Sequence, residues 1–274
     1  MVHVTHSTTA IRRARGVFVA LTLIATGSLL AACADVPTDP DARIAYEQKN
    51  DPIEPANRGV FAANEYVDKH AFKPVAMAYR DNVPDPLQRG IHNFVTNLSE
   101  PMIEMNDLLQ GNFALGWITF QRFMLNTLVG GFGFFDVAAG NNLPFHDADF
   151  GQTFGVWGIS EGPYVMLPVF GPSNVRDAIG TGLSFVLDPW TFVGGANAVY
   201  ANYSRTGVSA VDTRTAYIDP LNEMEQNSLD FYASMRSAYR QHRAYEVRSA
   251  GGNGDVTDRD SSSVTVGEPD MSDP

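Results

Sequence analysis

Between Asp51 and about Tyr245 the apolar positions recur mainly at helical spacing. Asp85-Pro86 offers an N-cap followed by proline at the first helical position, and Leu87, Ile91, Phe94, Val95 and Leu98 then share one face. A second, shorter helix is predicted from Pro101 to a stop at Gly111. Phe113 to Val129 is the most apolar stretch beyond residue 33, with Arg122 as its single charge. At 1.5 Å per residue it would span roughly 26 Å, slightly short of a ~30 Å hydrocarbon core. A buried core helix and a helix lying in the membrane plane fit that pattern equally well.

Gly130-Gly131-Phe132-Gly133-Phe134-Phe135-Asp136 ends this helix with three glycines and keeps three phenylalanines. A packed turn and a mobile hairpin touching lipid both account for it. Residues 150–172 are rich in Gly, Pro and aromatics without a clean period and read as irregular structure. Helix resumes near Ser173, with Val175, Ile179, Leu183 and Val186 on one stripe, and stops at Asp188-Pro189. Asp219-Pro220 opens a long polar-faced helix through about Tyr245. Strand signals are sparse, so the fold class is mainly α with little or no β.

The ends of the chain differ from this middle. Arg12, Arg13 and Arg15 precede the apolar run Val17 to Leu30, and Leu30-Ala31-Ala32-Cys33 resembles the lipobox cut by lipoprotein signal peptidase. Residues 1–32 are therefore expected to be a signal peptide and Cys33, the sole cysteine, the lipid-attachment residue. Several acyl chains give lasting attachment where one alone binds marginally. Residues 33–50 read as a lipidated N-terminus and tether, of reach roughly 55 Å when extended. Residues 51–247 form the expected helical domain, and 248–274, rich in Gly, Asp, Ser and Pro, a disordered tail. Ala34 follows the cysteine where an aspartate commonly signals retention in the inner membrane, which favours the outer membrane, facing the periplasm, although Asp35 comes one place later.

The formal charge is −12 at pH 7, and all 31 acidic residues follow Cys33. Nucleic acid and bare anionic bilayers are poor partners for such a chain. Once Cys33 is acylated no thiol remains for a disulfide or a cysteine metal site.

Little here carries bond chemistry. Gly158-Ile159-Ser160-Glu161-Gly162 matches G-x-S-x-G, but Pro163 and Pro168 deny Ser160 the helix that a nucleophile elbow requires. His70, His92, His146 and His242 are scattered, and His146-Asp147-Ala148-Asp149 reads as a solvated acidic turn rather than a cation site. No phosphate-binding glycine loop with a lysine is present. We expect no catalytic residue, metal or cofactor. The glycines Gly151 and Gly155 match G-x-x-x-G, which says little outside an apolar helix. The polar residues Asn57, Arg58, Arg122 and Asn126 are more informative, either as a structural hydrogen-bonded network or as a polar lining that passes a lipid head-group.

Ordered blocks along the chain resemble the MlaA (VacJ) lipoproteins of the Gram-negative outer membrane. They run from Asp51-Pro52, Glu54, Asn57-Arg58, Phe61, Asn64 and Asp68 through Lys73-Pro74-Val75-Ala76, Tyr79-Arg80 and Val83-Pro84. Asn93-Phe94, Asn97-Leu98, Glu100-Pro101, Asn106, Leu109-Gln110-Gly111, Arg122-Phe123 and Asn126-Thr127 follow, then Gly130 to Ala138. The densest blocks are Phe150 to Gly155 with Trp157-Gly158, and Gly162-Pro163-Tyr164-Val165 through Leu167-Pro168, Gly171-Pro172 and Arg176-Asp177.

The resemblance implies a flat ring of amphipathic helices embedded in the periplasmic-side leaflet of the outer membrane around a central channel. It implies no catalysis. Its implied partners are phospholipids, a trimeric porin and a soluble periplasmic carrier, MlaC, which receives phospholipid removed from the outer leaflet. Gly130 to Asp136 fall where the family has a gating hairpin, and Asn64 joins the polar candidates. Ala63 stands where the family often has an aromatic, which puts gating details in doubt. The rival readings are an envelope lipoprotein with lipid-esterase activity through Ser160, and a purely structural porin-associated lipoprotein.

Overall fold

The computed structural model describes residues 50–192 and 195–251. The predicted signal peptide, Cys33, nearly all of the tether and the tail beyond residue 251 lie outside the described residues. The chain divides into two compact units, residues 1–57 and 58–274. In the first, Asn57 is buried and donates from Nδ2 to Asp51 Oδ1 at 2.7 Å, fixing the entry to helix α1 (Glu54–Val67).

A π-helical turn, Asp68–Phe72, follows and leads into α2 (Lys73–Asn82). Pro74 has no N–H to continue an α-helical ladder, and a widened turn accommodates it. Arg214 grips Asp68 in that turn with two hydrogen bonds, at 2.6 and 2.8 Å. The next elements are α3 (Asp85–Leu109), α4 (Phe113–Leu128) and α5 (Phe150–Val156). A hairpin of β1 (Tyr164–Leu167) and β2 (Gly171–Asn174) comes next. Helices α6 (Val175–Leu187), α7 (Pro189–Phe192), α8 (Gly195–Ala216), α9 (Ile218–Asn227) and α10 (Phe231–Gly251) complete the described chain. The fold is mainly α, as the periodicity predicts.

Four local expectations are corrected. Pro101 does not begin a helix; it lies inside α3, which runs unbroken for 25 residues. Proline removes one ladder hydrogen bond, and packing along α4 outweighs that loss. Residues 150–172 are not irregular throughout, since Asp149 caps α5 by accepting from the Gln152 N–H at 2.8 Å. The antiparallel hairpin pairs Tyr164 with Asn174 and Leu167 with Gly171, strands too short to show a period of two. The helix after Asp219 breaks at residues 228–230, because Ser228 is extended and Asp230 caps α10 by accepting from the Ala233 N–H at 3.1 Å. It then continues past Tyr245 to Gly251.

The G-x-x-x-G pair proves informative. A Cβ on Gly151 would meet Asp177 Oδ1 at 2.4 Å, one on Gly155 would meet Val247 Cγ1 at 2.7 Å, and one on Gly180 would meet the Gly151 nitrogen at 2.5 Å. These glycines let α5, α6 and α10 approach backbone to side chain, which any larger residue would prevent. Asp177, where they meet, receives hydrogen bonds from Arg176, Arg243 and Tyr239. Burial alone would raise its pKa; Arg243, Tyr239 and Arg176 reverse the sign and hold it below the ordinary value. An apolar core sits nearby in sequence order, formed by Tyr164, Met166 and Tyr232 with Val60, Phe61 and Tyr239 packed against it.

Candidate functional site

Helix α4 is packed inside out. Its buried positions are Leu115, Gly116, Thr119, Arg122 and Asn126, while Phe113, Trp117, Met124 and Leu128 are exposed. Both sets recur at helical spacing, so each forms one face. Water would select the opposite orientation, since burying an unpaired polar group costs several kcal/mol. The arrangement is stable only if the inner face is fully paired and the outer face meets something apolar.

The inner face is paired by α3, whose buried positions include Asn97, Glu100, Asn106 and Asp107. Arg122, 1% exposed, donates from Nε to Glu100 Oε1 at 2.9 Å, from Nη2 to Asp136 Oδ2 at 3.1 Å and from Nη1 to the Leu143 carbonyl. One guanidinium thus joins α3, α4 and the loop between α4 and α5. Asn126 donates to Asp136 Oδ1 at 3.0 Å and accepts from the Ala138 N–H at 2.9 Å. One turn toward the start of α4, Thr119 donates to Asp107 Oδ2 at 2.9 Å, and His146 Nε2 lies 2.9 Å from the same oxygen.

The two carboxylates sharing Arg122 are not equivalent. Burial pushes Glu100 from 4.5 up to about 7, and Arg122 only partly offsets it. Burial would also raise Asp136, but the Ala139 N–H, Asn126 and Arg122 overturn that and hold it below its usual value. Of the two, Asp136 in the loop is the one whose charged form its partners favour.

The Gly130 to Asp136 segment is a turn with a packed base. Gly133 donates from its backbone to the Asn126 carbonyl at 2.8 Å, and Phe135 to that of Gly130 at 2.9 Å. A Cβ on Gly130 would meet the Phe135 carbonyl oxygen at 2.2 Å. Gly131 and Gly133 have φ of +63° and +93°, and Phe132 joins them in the left-handed region at +59°. A phenylalanine held there is strained, by about 1–2 kcal/mol. Yet its ring is 74% exposed, and that of Phe135 64%. The loop thus combines a rigid polar base with two rings presented outward.

Further apolar residues continue that outer surface. Leu108, Leu109, Val129 and Trp157 are exposed, and Trp157 Nε1 is satisfied by the Leu109 carbonyl at 2.9 Å. On α6, Ile179 and Val186 are exposed while Arg176, Asp177 and Gly180 are buried, so the predicted apolar stripe faces outward there too. So much exposed apolar surface marks contact with a membrane or a partner. No helix among the described residues is long and apolar enough to cross a membrane.

His92, Asn93, Thr96 and Asn97 on α3, Arg122 and Asn126 on α4, and Asp136 and Phe145 in the loop line a partly open cavity of about 80 Å³. All of its lining residues but Phe145 carry a polar side chain. A drug-sized ligand site holds roughly 300–1,000 Å³, so a two-chain lipid does not fit this cavity as it stands.

The structure brings Arg122, Asn126 and Gly130 to Asp136 together and places the other candidates elsewhere. Arg58 pairs with Asp230 at 2.5 Å and lies over the Tyr232 ring at 4.4 Å. Asn64 clamps the hairpin, donating to the Leu167 carbonyl at 2.9 Å and accepting from the Val169 N–H at 2.8 Å. Asn57 bonds Asp51, as described above. Ser160 is exposed in coil, preceded by helix α5 and followed by strand β1, the reverse of a nucleophile elbow. Glu100, Asp107, Thr119 and His146 carry weight that the periodicity gives no hint of. For the first three the one available signal is a polar residue recurring every three or four places along a helix; His146, in the loop before α5, offers none.

Known proteins resemble the chain over most of its length. The sequence profile described as "MlaA lipoprotein" matches residues 49–246. The "Intermembrane phospholipid transport system lipoprotein MlaA" of Escherichia coli (strain K12) is 35% identical over 233 residues, covering 82% of this chain and 87% of that protein. Its counterpart from Haemophilus influenzae is 29% identical over 232 residues, covering 83% and 89%. A solved structure described as "Structural basis for maintenance of bacterial outer membrane lipid asymmetry" matches with a TM-score of 0.64 at 36% identity, over 72% of this chain and 98% of that one.

Proposed function

Because this chain belongs to the MlaA lipoprotein family, we propose that it is a non-enzymatic outer-membrane lipoprotein that removes mislocalised phospholipid from the outer leaflet and maintains lipid asymmetry. Cys33 carries the lipid anchor and delivers the chain to the membrane. The helices form a ring in the periplasmic-side leaflet around an amphipathic channel. A trimeric porin holds the ring, and an MlaC-like periplasmic carrier collects the lipid.

The observation that carries this reading is the inverted packing of α3 against α4, with Arg122, Glu100 and Asp136 inside and Phe113, Trp117, Leu128 and Phe132 outside. A helix pair of that polarity is matched to lipid on its outer face and to a polar passage on its inner one. A head-group can move past amide and charged side chains while the acyl chains stay in apolar surroundings. No covalent step is needed; geometry and hand-off to the carrier set the direction.

Deleting the gene should raise outer-leaflet phospholipid and sensitivity to detergent, and re-expression should restore both. An unchanged lipid distribution in the deletion strain would overturn the reading. Substituting Cys33→Ser should abolish acylation, and palmitate label persisting in that variant would place the anchor elsewhere.

A further inference from the structure

The three phenylalanines of the loop do different work. Phe132 and Phe135 are exposed, whereas the Phe134 ring is seated on α3 where that helix carries Gly90. A Cβ added at Gly90 would lie 2.1 Å from Phe134 Cζ and 2.3 Å from Cε2, so only glycine leaves room for the ring. Asn93, one turn further along the same face, donates from Nδ2 to the Phe134 carbonyl at 3.3 Å. Asn97, the next turn, lies under Gly133, whose added Cβ would fall 2.4 Å from Asn97 Cβ. Gly90, Asn93 and Asn97 thus form one strip that receives the loop.

Asn93 and Asn97 also wall the 80 Å³ cavity, and the loop contributes Asp136 to it. The strip that holds the loop is therefore also a wall of the cavity. With the ring in place the space is several-fold smaller than an ordinary small-molecule site.

We propose that Phe134 is the positioning residue of this loop, with Gly90 as its socket, and that withdrawal of the ring from the socket widens the cavity enough for lipid to pass. The inference rests on the transport reading for its purpose, though not for its geometry. Phe132 and Phe135 supply contact with the surroundings; Phe134 sets whether the passage is narrow or wide.

The test exploits size complementarity. Gly90→Ala adds the one methyl that cannot coexist with the ring, yet alanine favours a helix by roughly 1 kcal/mol, so loss of the fold is not the expected outcome. Phe134→Leu removes the Cε and Cζ atoms that this methyl would strike. Spin labels at Arg89→Cys and Phe132→Cys, in full-length lipidated protein reconstituted in liposomes, report the distance from loop to helix. Transfer of fluorescent phospholipid between vesicles is measured on the unlabelled proteins.

A narrow distance distribution is expected with Gly90 and Phe134 intact, a broadened and longer one with Gly90→Ala, and recovery in the Gly90→Ala/Phe134→Leu double variant. Transfer should rise several-fold with Gly90→Ala and return toward the starting rate in the double variant. An unchanged distance in Gly90→Ala would overturn the socket. A displaced loop with unchanged transfer would overturn its place in lipid passage. No transfer by the unsubstituted protein would overturn the transport reading itself, while the distances would still decide the socket.

Discussion

Two parts of this molecule solve the packing problem in opposite ways. Around the hairpin, Tyr164, Met166 and Tyr232 bury their side chains, with Phe61 set edge-on to Tyr232 at 5.5 Å. That is the ordinary arrangement, driven by removing apolar surface from water. Along α3 and α4 the interior holds Arg122, Glu100, Asn126 and Asp107, and the aromatic rings face out. Under the membrane placement proposed above, the difference is that of one chain meeting two solvents. Where the surroundings are aqueous, hydrophobic burial stabilises the fold; where they are apolar, burial gains little and a satisfied polar network supplies specificity instead.

The comparison can be broken at its strongest point first. Arg122→Ala leaves Glu100 buried without its cation and Asp136 without one of its donors, and should cost about 3–5 kcal/mol of stability in detergent, read by thermal unfolding. A loss below about 1 kcal/mol would mean that the network is incidental. In the ordinary core, Met166→Ala should cost about 2–5 kcal/mol through a lost apolar contact and a cavity, and should leave membrane affinity unchanged in vesicle flotation.

Phe132→Ser and Phe135→Ser should invert that result. Both rings are already exposed, so unfolding in detergent should hardly move, while each substitution weakens vesicle binding by about 1.5–3 kcal/mol if the ring enters lipid. Equal binding by the double variant would show that the loop does not touch the membrane. The mildest test is pH. Because Glu100 is raised from 4.5 to about 7, the folded state holds its proton more tightly than the unfolded chain does. Its contribution to stability is therefore greatest below 4.5 and declines as pH rises toward 7. Glu100→Gln should flatten unfolding midpoints across that window, and an unaltered slope would remove Glu100 as its source.

Much of this was legible beforehand. The span of α4 follows from spacing and the start of α3 from Asp85-Pro86, although Asp85 is the first helical residue rather than a side-chain cap and Pro101 starts no new helix. Arg122 and Asn126 stand out as polar residues in an apolar stretch. The loop from Gly130 to Asp136 announces itself by composition; the structure gives it a packed base with Phe132 and Phe135 exposed, and the vesicle test above decides contact with lipid. What composition does not report is the packing of its glycines: an added Cβ at Gly133 would strike Asn97 and push the loop away from α3. The hairpin of β1 and β2 stayed hidden because four-residue strands carry no readable alternation.

The sequence by itself determined the helical class, the family and the residues able to serve an anchor or a polar lining. Those properties are local or ordered along the chain, and periodicity, caps and block order report them directly. Only the tertiary structure decided which face of each amphipathic helix turns inward. Spacing defines two faces but not the solvent each one meets; that follows from whether partners such as Glu100, Asp136 and the Leu143 carbonyl converge on Arg122. Convergence of groups so far apart in the chain is a property of the packed fold, because no local pattern encodes the distance between them.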